Sequence, residues 1–417
     1  MVLLSFLYWP LISLYLFAIK IAALFNAKAK LFINGRKHWQ VGMQQALAGE
    51  RRKTIWVHCA SLGEFEQGRP IIERLKAEHE DFAIILTFFS PSGYEVRKDY
   101  TGADYVFYLP VDTIGNAGRF LDITHPTLCL FVKYEFWFGY LNEIKKRGLP
   151  ALLISAIFRP EQSFFKWHGV LQRYMLRCFA QLFVQNQESV NLLSKIKMQQ
   201  VVLSGDSRFD RVLELWEKRQ SLAVLEDFCK GGTIIVAGST WKADEVFLEN
   251  VLQKLPKNTK LVLVPHEVHE AHLKEIEQLF QGKTMRYSEY QNGGNKQVLL
   301  VDAMGILGSI YAYGQYAWIG GAFNKAGVHN VLEAAVYAIP VAHGPIYHKF
   351  QEAVALNELK GSQTFQEAVA YANWLKTNRP ETDAYLAMAK QAAGYVRSKA
   401  GATGIIIKAI NECGYLK

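Results

Sequence analysis

From Thr54 onward the chain alternates short apolar runs with longer amphipathic stretches, and at Thr233 the alternation starts again. Apolar runs of four to eight residues between turn signals read as buried strands, and the amphipathic stretches between them read as helices. The first series predicts strands at 54–59, 82–88, 105–109, 128–132, 151–156 and 181–185, with helices over 66–78 and 92–100. The second predicts strands at 233–237, 260–264, 298–301, 316–319 and 339–342, with helices over 245–255 and 330–337. Strands that alternate with helices imply a parallel sheet covered on both faces. The fold class is therefore α/β, with two Rossmann-like doubly wound domains in tandem. The boundary falls in a charged helical segment between Phe209 and Gly231. The reading gives an N-terminal segment at 1–40, a first domain at 41–215 and a second at 216–417 that includes the last helices. In such sheets ligands bind at the carboxyl ends of the strands, so a reaction is expected in a cleft that the two domains face.

The first apolar stretch stands outside this pattern. Val2 to Ile19 is interrupted only by Ser5, Pro10 and Ser13. As a helix it would measure about 27 Å at ~1.5 Å per residue, borderline for a bilayer core of ~30 Å. Pro10 would kink it. Lys20, Lys28, Lys30, Arg36 and Lys37 follow it. A signal peptide carries its charges before the apolar run; here they come after, which keeps the following domain on the cytoplasmic side. A membrane-associating helix, spanning the bilayer or lying on it, is expected; a buried first helix is the other reading.

Composition narrows the partners. The 417 residues carry a formal charge of +9, with 50% hydrophobic and 20% charged residues, which argues against disorder and favours anionic partners. No zinc-finger spacing or long basic run accompanies the charge, so nucleic acid is the weakest candidate beside anionic lipid and a phosphorylated substrate. Cys59, Cys129, Cys178, Cys229 and Cys413 form no Cys-x-x-Cys pair, so neither a zinc site nor a disulfide framework is indicated.

The chemistry-bearing residues sit just after predicted strands. Ser61-Leu62-Gly63-Glu64 follows the first. A carboxylate at a helix start is favoured by the helix dipole and can serve as a general base. The same Ser-x-x-Glu spacing also describes a helix-capping box, and both readings stand. Gly320-Gly321 begins a glycine-rich loop that runs to Asn330-Val331-Leu332-Glu333. Backbone N–H groups at a helix start bind phosphate, and Glu333 is placed to hold ribose hydroxyls. The spacing is similar to the nucleotide-binding segment of GT-B glycosyltransferases and lacks the G-x-G-x-x-G fingerprint of nicotinamide enzymes. Gly238-Ser239-Thr240, Pro265-His266-Glu267 and Gly205-Asp206-Ser207-Arg208 end three further strands. His266, His269 and His272 recur every three residues, but a polar helix face describes them better than a metal site.

Taken in order, these segments resemble the Kdo transferases, which add 3-deoxy-D-manno-oct-2-ulosonic acid (Kdo) to lipid A precursors. The resemblance adds Leu109-Pro110-Val111-Asp112, Tyr134-Glu135-Phe136-Trp137 and Asp302-Ala303-Met304-Gly305. It implies an inverting GT-B enzyme in lipopolysaccharide biosynthesis that uses CMP-Kdo, with no cofactor and no metal in the active site. It implies that Glu64 is the base and that Arg208 supports the transition state. Ser61, Gly63, Ser239 and Thr240 would lie against substrate. Nucleotide contacts would fall to Pro265 and His266, to Met304, Gly305 and Ile306, and to Asn330, Val331, Leu332 and Glu333. The implied partners are CMP-Kdo, a phosphorylated glycolipid acceptor and the membrane surface, at the cytoplasmic face of the bacterial inner membrane. The chain departs from the family where Lys133 replaces the first Glu of Glu-Thr-Glu-Leu-Trp-Pro-Asn; a cation there would hold the donor's carboxylate. It departs again where Pro265-His266-Glu267-Val268-His269-Glu270 replaces Pro-Arg-His-Pro-Glu-Arg. Other readings of the architecture are a transferase using another nucleotide sugar, a sugar-nucleotide 2-epimerase, and a membrane-tethered nucleotide-binding protein without catalysis.

Overall fold

The computed structural model describes residues 2–291 and 296–416, with side chains from Tyr8 onward. The side chains of Val2–Leu7, part of the expected membrane segment, lie outside the described residues. The chain divides into two compact units, Met1–Arg211 with Ala400–Lys417, and Val212–Lys399.

The first unit is built on seven strands: β1 Lys53–Cys59, β2 Phe82–Phe88, β3 Tyr105–Tyr108, β4 Pro126–Val132, β5 Ala151–Ala156, β6 Gln181–Val184 and β7 Val201–Leu203. Their order is β3-β2-β1-β4-β5-β6-β7 and every pairing is parallel. Because both faces are covered, β2 is buried at every residue and β1 at all but the first, which is why each reads as a continuous apolar run. Successive side chains still point to opposite faces. Trp56, Cys129, Phe131 and Leu153 pack with Phe120 and Leu141 on one side. Ile55, Val57, Leu128 and Leu130 pack with Ile71, Ile72 and Leu75 of the helix Leu62–Glu78 on the other.

That second face also takes Ile406, Ile407 and Ile410 from the helix Ala402–Glu412. Asp210 fastens the start of this helix by accepting from the N–H groups of Gly401 and Thr403. The last helix thus belongs with the first unit, whereas the strand pattern had placed everything to residue 417 with the second. The N-terminal segment likewise forms part of the first unit. Tyr8 donates to Asp112 at 2.6 Å, and Arg36 donates to the carbonyls of Phe32, Phe89 and Leu109.

The N-terminal helix runs from Val2 to Ala22 through Pro10. Leu11, Leu14, Phe17 and Ile21 on it are exposed. Among the described residues no helix is long and apolar enough to cross a membrane.

The second unit repeats the architecture with β8 Thr233–Thr240, β9 Thr259–Pro265, β10 Thr284–Arg286, β11 Val298–Leu300, β12 Tyr316–Ile319, β13 Val341–His343 and β14 Ser362–Thr364. The order is β10-β11-β9-β8-β12-β13-β14, again parallel throughout. Trp318, Leu261 and Leu263 anchor one core with Phe247 and Tyr371. Three short strands, β7, β10 and β14, were not expected. Each has only three residues, shorter than the run of four or more that marks a strand in sequence.

Candidate active site

A doubly wound sheet opens a crevice where the strand order reverses, outside the carboxyl ends of the two strands concerned. In the first unit those strands are β1 and β4. β1 delivers Ser61, Gly63 and Glu64, and β4 delivers Lys133, Tyr134 and Glu135.

Ser61 is the N-cap residue of the helix Leu62–Glu78 and has extended backbone geometry. Its side chain caps no backbone N–H. Its hydroxyl donates instead to the Glu64 carboxylate. The capping-box reading of this turn is therefore incorrect at the side-chain level. The helix starts here, but the serine orients a carboxylate in the first helical turn. Glu64 is half-buried, and Gly63 beside it is exposed.

Below this turn lies a buried polar chain that the sequence did not single out. His58 is fully buried. One ring nitrogen, Nε2, lies 2.9 Å from Glu135 Oε2, and Nδ1 lies 2.9 Å from Thr87 Oγ1. Glu135 also accepts from Trp137 Nε1 at 2.7 Å. A buried carboxylate must be paired, and these contacts fix the segment that carries Lys133. Lys133 itself has φ +66, a left-handed conformation that costs a non-glycine residue about 1 kcal/mol or more. Its N–H bonds to the Ile154 carbonyl at 2.9 Å, and its ammonium lies 5.7 Å from the centre of the Tyr134 ring. Burial and the Arg159 and Glu64 charges act on the Tyr134 phenol, whose pKa is raised, so Glu64 and Tyr134 share one electrostatic neighbourhood.

Arg208 begins the helix Ser207–Glu217 after β7. Asp206 holds its guanidinium with bonds from Nε at 2.9 Å and Nη2 at 2.7 Å. Ser207 Oγ donates to the main-chain carbonyl of Gln67 in the helix Leu62–Glu78, and lies 2.8 Å from Ser155 Oγ. Arg208 is thus tied to the same helix that starts at Ser61, with part of its charge already compensated by a buried carboxylate.

In the second unit the order reverses between β8 and β12. Ser239 sits at an irregularity in β8, at φ +54, and the strand resumes with Thr240. A bulge of this kind re-aims the strand end. Gly320 must be glycine, since a Cβ there would meet the Ser239 carbonyl oxygen at 2.3 Å. His266 follows Pro265 at the end of β9 and donates its N–H to Thr240 O at 2.9 Å. The rings of Trp241, His266 and His329 pack together, with centroids 4.7 Å apart for Trp241–His266 and 4.4 Å for His266–His329. Trp241 Nε1 donates to His329 Nε2 at 2.8 Å. Burial, aided by His266, lowers the His329 pKa to about 4. A neutral ring that accepts at Nε2 carries its proton on Nδ1, which makes His329 a hydrogen-bond donor at the strand edge. Asp244 fixes the arrangement from beneath, accepting from Trp241 N, Trp318 Nε1 and Gly321 N.

Several expected contacts change character. Thr240 is buried and its hydroxyl donates to Glu245, which also pairs with His272. Val331 and Leu332 are fully buried, so any ligand contact there falls to the main chain. The helix expected over 330–337 is a single turn, Leu332–Ala335. Asn330 Oδ1 caps the Leu332 N–H, and its amide donates to Glu333 at 2.9 Å. One turn generates little dipole, so the phosphate expectation moves to the loop N–H groups. Met304 and Gly305 are exposed beyond β11, and Ile306 is half-buried. His269 caps its own helix, and among the described residues no cluster of His, Cys, Asp or Glu is arranged to hold a metal ion.

The chain thus consists of two doubly wound units, each with polar residues at its switch point. Residues 36–211 match the family model described as 3-deoxy-D-manno-octulosonic-acid transferase (kdotransferase). The 3-deoxy-D-manno-octulosonic acid transferase of Aquifex aeolicus is 29% identical over 312 residues, 74% of this chain and 80% of that protein. The Haemophilus influenzae protein of the same description is 26% identical, with 72% of each chain covered. Among solved structures, the UDP-GlcNAc 2-epimerase from Neisseria meningitidis bound to UDP-GlcNAc has a TM-score of 0.58 at 16% identity, covering 86% of this chain and 100% of that one. At that identity the likeness shows the fold alone. The chain is a glycosyltransferase. Its residues 36–211 match the Kdo transferase family model, and over about three quarters of its length it is similar to proteins of that description.

Proposed function

We propose that the chain transfers Kdo from CMP-Kdo to a hydroxyl of a phosphorylated glycolipid, a lipid A precursor, by a single inverting displacement. Glu64 takes the proton of the acceptor hydroxyl as that oxygen attacks the anomeric carbon of Kdo. The bond from that carbon to the phosphate oxygen breaks, and CMP leaves. The observation that carries this reading is the Ser61–Glu64 contact at the β1/β4 switch point. It gives the base a fixed orientation in a half-buried position, as general base catalysis requires.

The remaining roles follow charge. Lys133 supplies a cation for the carboxylate of Kdo. Arg208, aimed by Asp206, supports the phosphate as charge develops on it. In the second unit the His329 Nδ1–H, the exposed His266 ring and the loop N–H groups near Asn330 receive the nucleotide, while Glu333 and the Met304–Ile306 segment complete its contacts. Ser239 and Gly63 offer close backbone approach. The N-terminal helix lies on the cytoplasmic face of the inner membrane. Its exposed Leu14, Phe17 and Ile21 enter the interface, and Lys20, Lys28 and Lys30 meet anionic headgroups.

The test is a reaction of the purified chain with CMP-Kdo and tetraacyl lipid A precursor, read by mass spectrometry. The expected product is heavier by Kdo. Competition of CMP against UDP for binding separates this reading from a 2-epimerase, which would favour UDP.

A further inference from the structure

A second feature adjoins the first unit's switch point. A cavity of about 370 Å³ is walled by Tyr15 and Ile19 of the N-terminal helix, by Ala29 and Phe32 of the helix Ala27–Asn34, and by Phe89 and Pro91 beyond β2. Its lining is largely carbon. Of its polar residues, Asn26 is engaged in capping Ala29 N, and Ser90 in a contact with Ser92. Lys28 is exposed at its edge.

The floor of this groove is bonded to the catalytic turn. Phe89 N donates to Cys59 O, and Ser90 N donates to Ala60 O at 2.7 Å, one residue before Ser61. Phe89 packs on Trp137 with centroids 4.5 Å apart, and Trp137 donates to Glu135. Arg36 ties the walls together through the carbonyls of Phe32 and Phe89, its guanidinium lying over both rings. The groove is therefore an ordered part of the strand-end machinery, continuous with a helix whose Leu14, Phe17 and Ile21 are exposed.

We infer that this groove receives one fatty acyl chain of the acceptor and thereby sets which hydroxyl reaches Glu64. The inference rests on the acceptor reading above. A sugar or nucleotide would bury its polar groups against carbon. An acyl chain suits the lining, and the anionic head of the same molecule meets Lys28 at the edge. The groove's bonded proximity to Ser61 converts the depth of the chain into a position for the sugar.

Ala29→Trp and Ala22→Trp fill the groove from two walls, and neither residue belongs to the reacting site. Each full-length variant is assayed with CMP-Kdo against two acceptors, the tetraacyl phosphorylated disaccharide and its deacylated, water-soluble counterpart. The expected result is a rise in KM of about tenfold or more for the acylated acceptor, the equivalent of about two buried methylenes, with kcat/KM for the deacylated acceptor unchanged. Equal loss on both acceptors, or no loss on either, overturns the inference. A wild-type chain that transfers Kdo to neither acceptor instead overturns the acceptor reading. An acceptor carrying a diazirine at the acyl terminus gives an independent readout on the wild-type chain. Label is expected in 15–32 or 89–91; label elsewhere, or a groove covered by a second copy of the chain, contradicts the assignment.

Discussion

The hydroxyl of Ser61 donates to the carboxylate of Glu64 rather than accepting from the backbone of the helix it begins. The pair therefore separates function from folding. Glu64→Gln keeps the shape and removes the proposed base, so turnover should fall by about 10²- to 10⁴-fold with a melting temperature close to wild type. Ser61→Ala loses one orienting bond, and steady-state kinetics should show a drop in kcat of about tenfold.

His58 and Glu135 are expected to behave in the opposite way. Both are buried, and each satisfies the other at 2.9 Å. Glu135→Ala strips His58 of that partner and Trp137 of its acceptor, which should destabilise the chain by about 2–3 kcal/mol. Urea unfolding would read this. A transition at the wild-type midpoint would show that the network is not structural.

Arg208 is held by two bonds to Asp206 in a fork that an ammonium does not reproduce. Arg208→Lys should lower kcat about tenfold or more while CMP binding, measured by calorimetry, changes little. Loss of CMP binding with kcat preserved would place Arg208 in nucleotide recognition instead.

The second unit should be sensitive to mild acid. His329 has a folded pKa of about 4, below the ordinary value of 6.5. Between those values the unfolded ring is protonated and the folded ring is neutral, so its contribution is present above pH 6.5 and is lost as pH falls toward 4. Thermal melts at pH 7.5 and 4.5 should show a smaller loss of stability in His329→Gln than in wild type. Asp112, in the first unit, has the opposite sign: burial raises its pKa to about 6. Its contribution is therefore present in acid and is lost as pH rises through 6, and Asp112→Asn should abolish that slope.

Most of the fold was legible because parallel strands leave long apolar runs. β2, β5 and β12 fall where the pattern placed them. The edge strands were invisible because β7, β10 and β14 are short. The fate of the helix Ala402–Glu412 was invisible because an apolar stripe does not say which core it enters. At the site, Ser61 and Glu64 could be read from their place after β1, whereas Arg208 was read from its motif although β7 before it was not expected. His58 falls inside the first predicted strand, and a buried histidine gives no sequence signal of its partner. Trp241 and His329 escaped notice for a similar reason, since their contact joins residues 88 apart in the chain.

The most direct measurement compares purified wild-type and Glu64→Gln chains, with CMP-Kdo and tetraacyl lipid A precursor, by mass spectrometry and CMP calorimetry. The account predicts unchanged CMP affinity with Kdo transfer reduced about 100-fold or more. Near wild-type transfer by Glu64→Gln would contradict it.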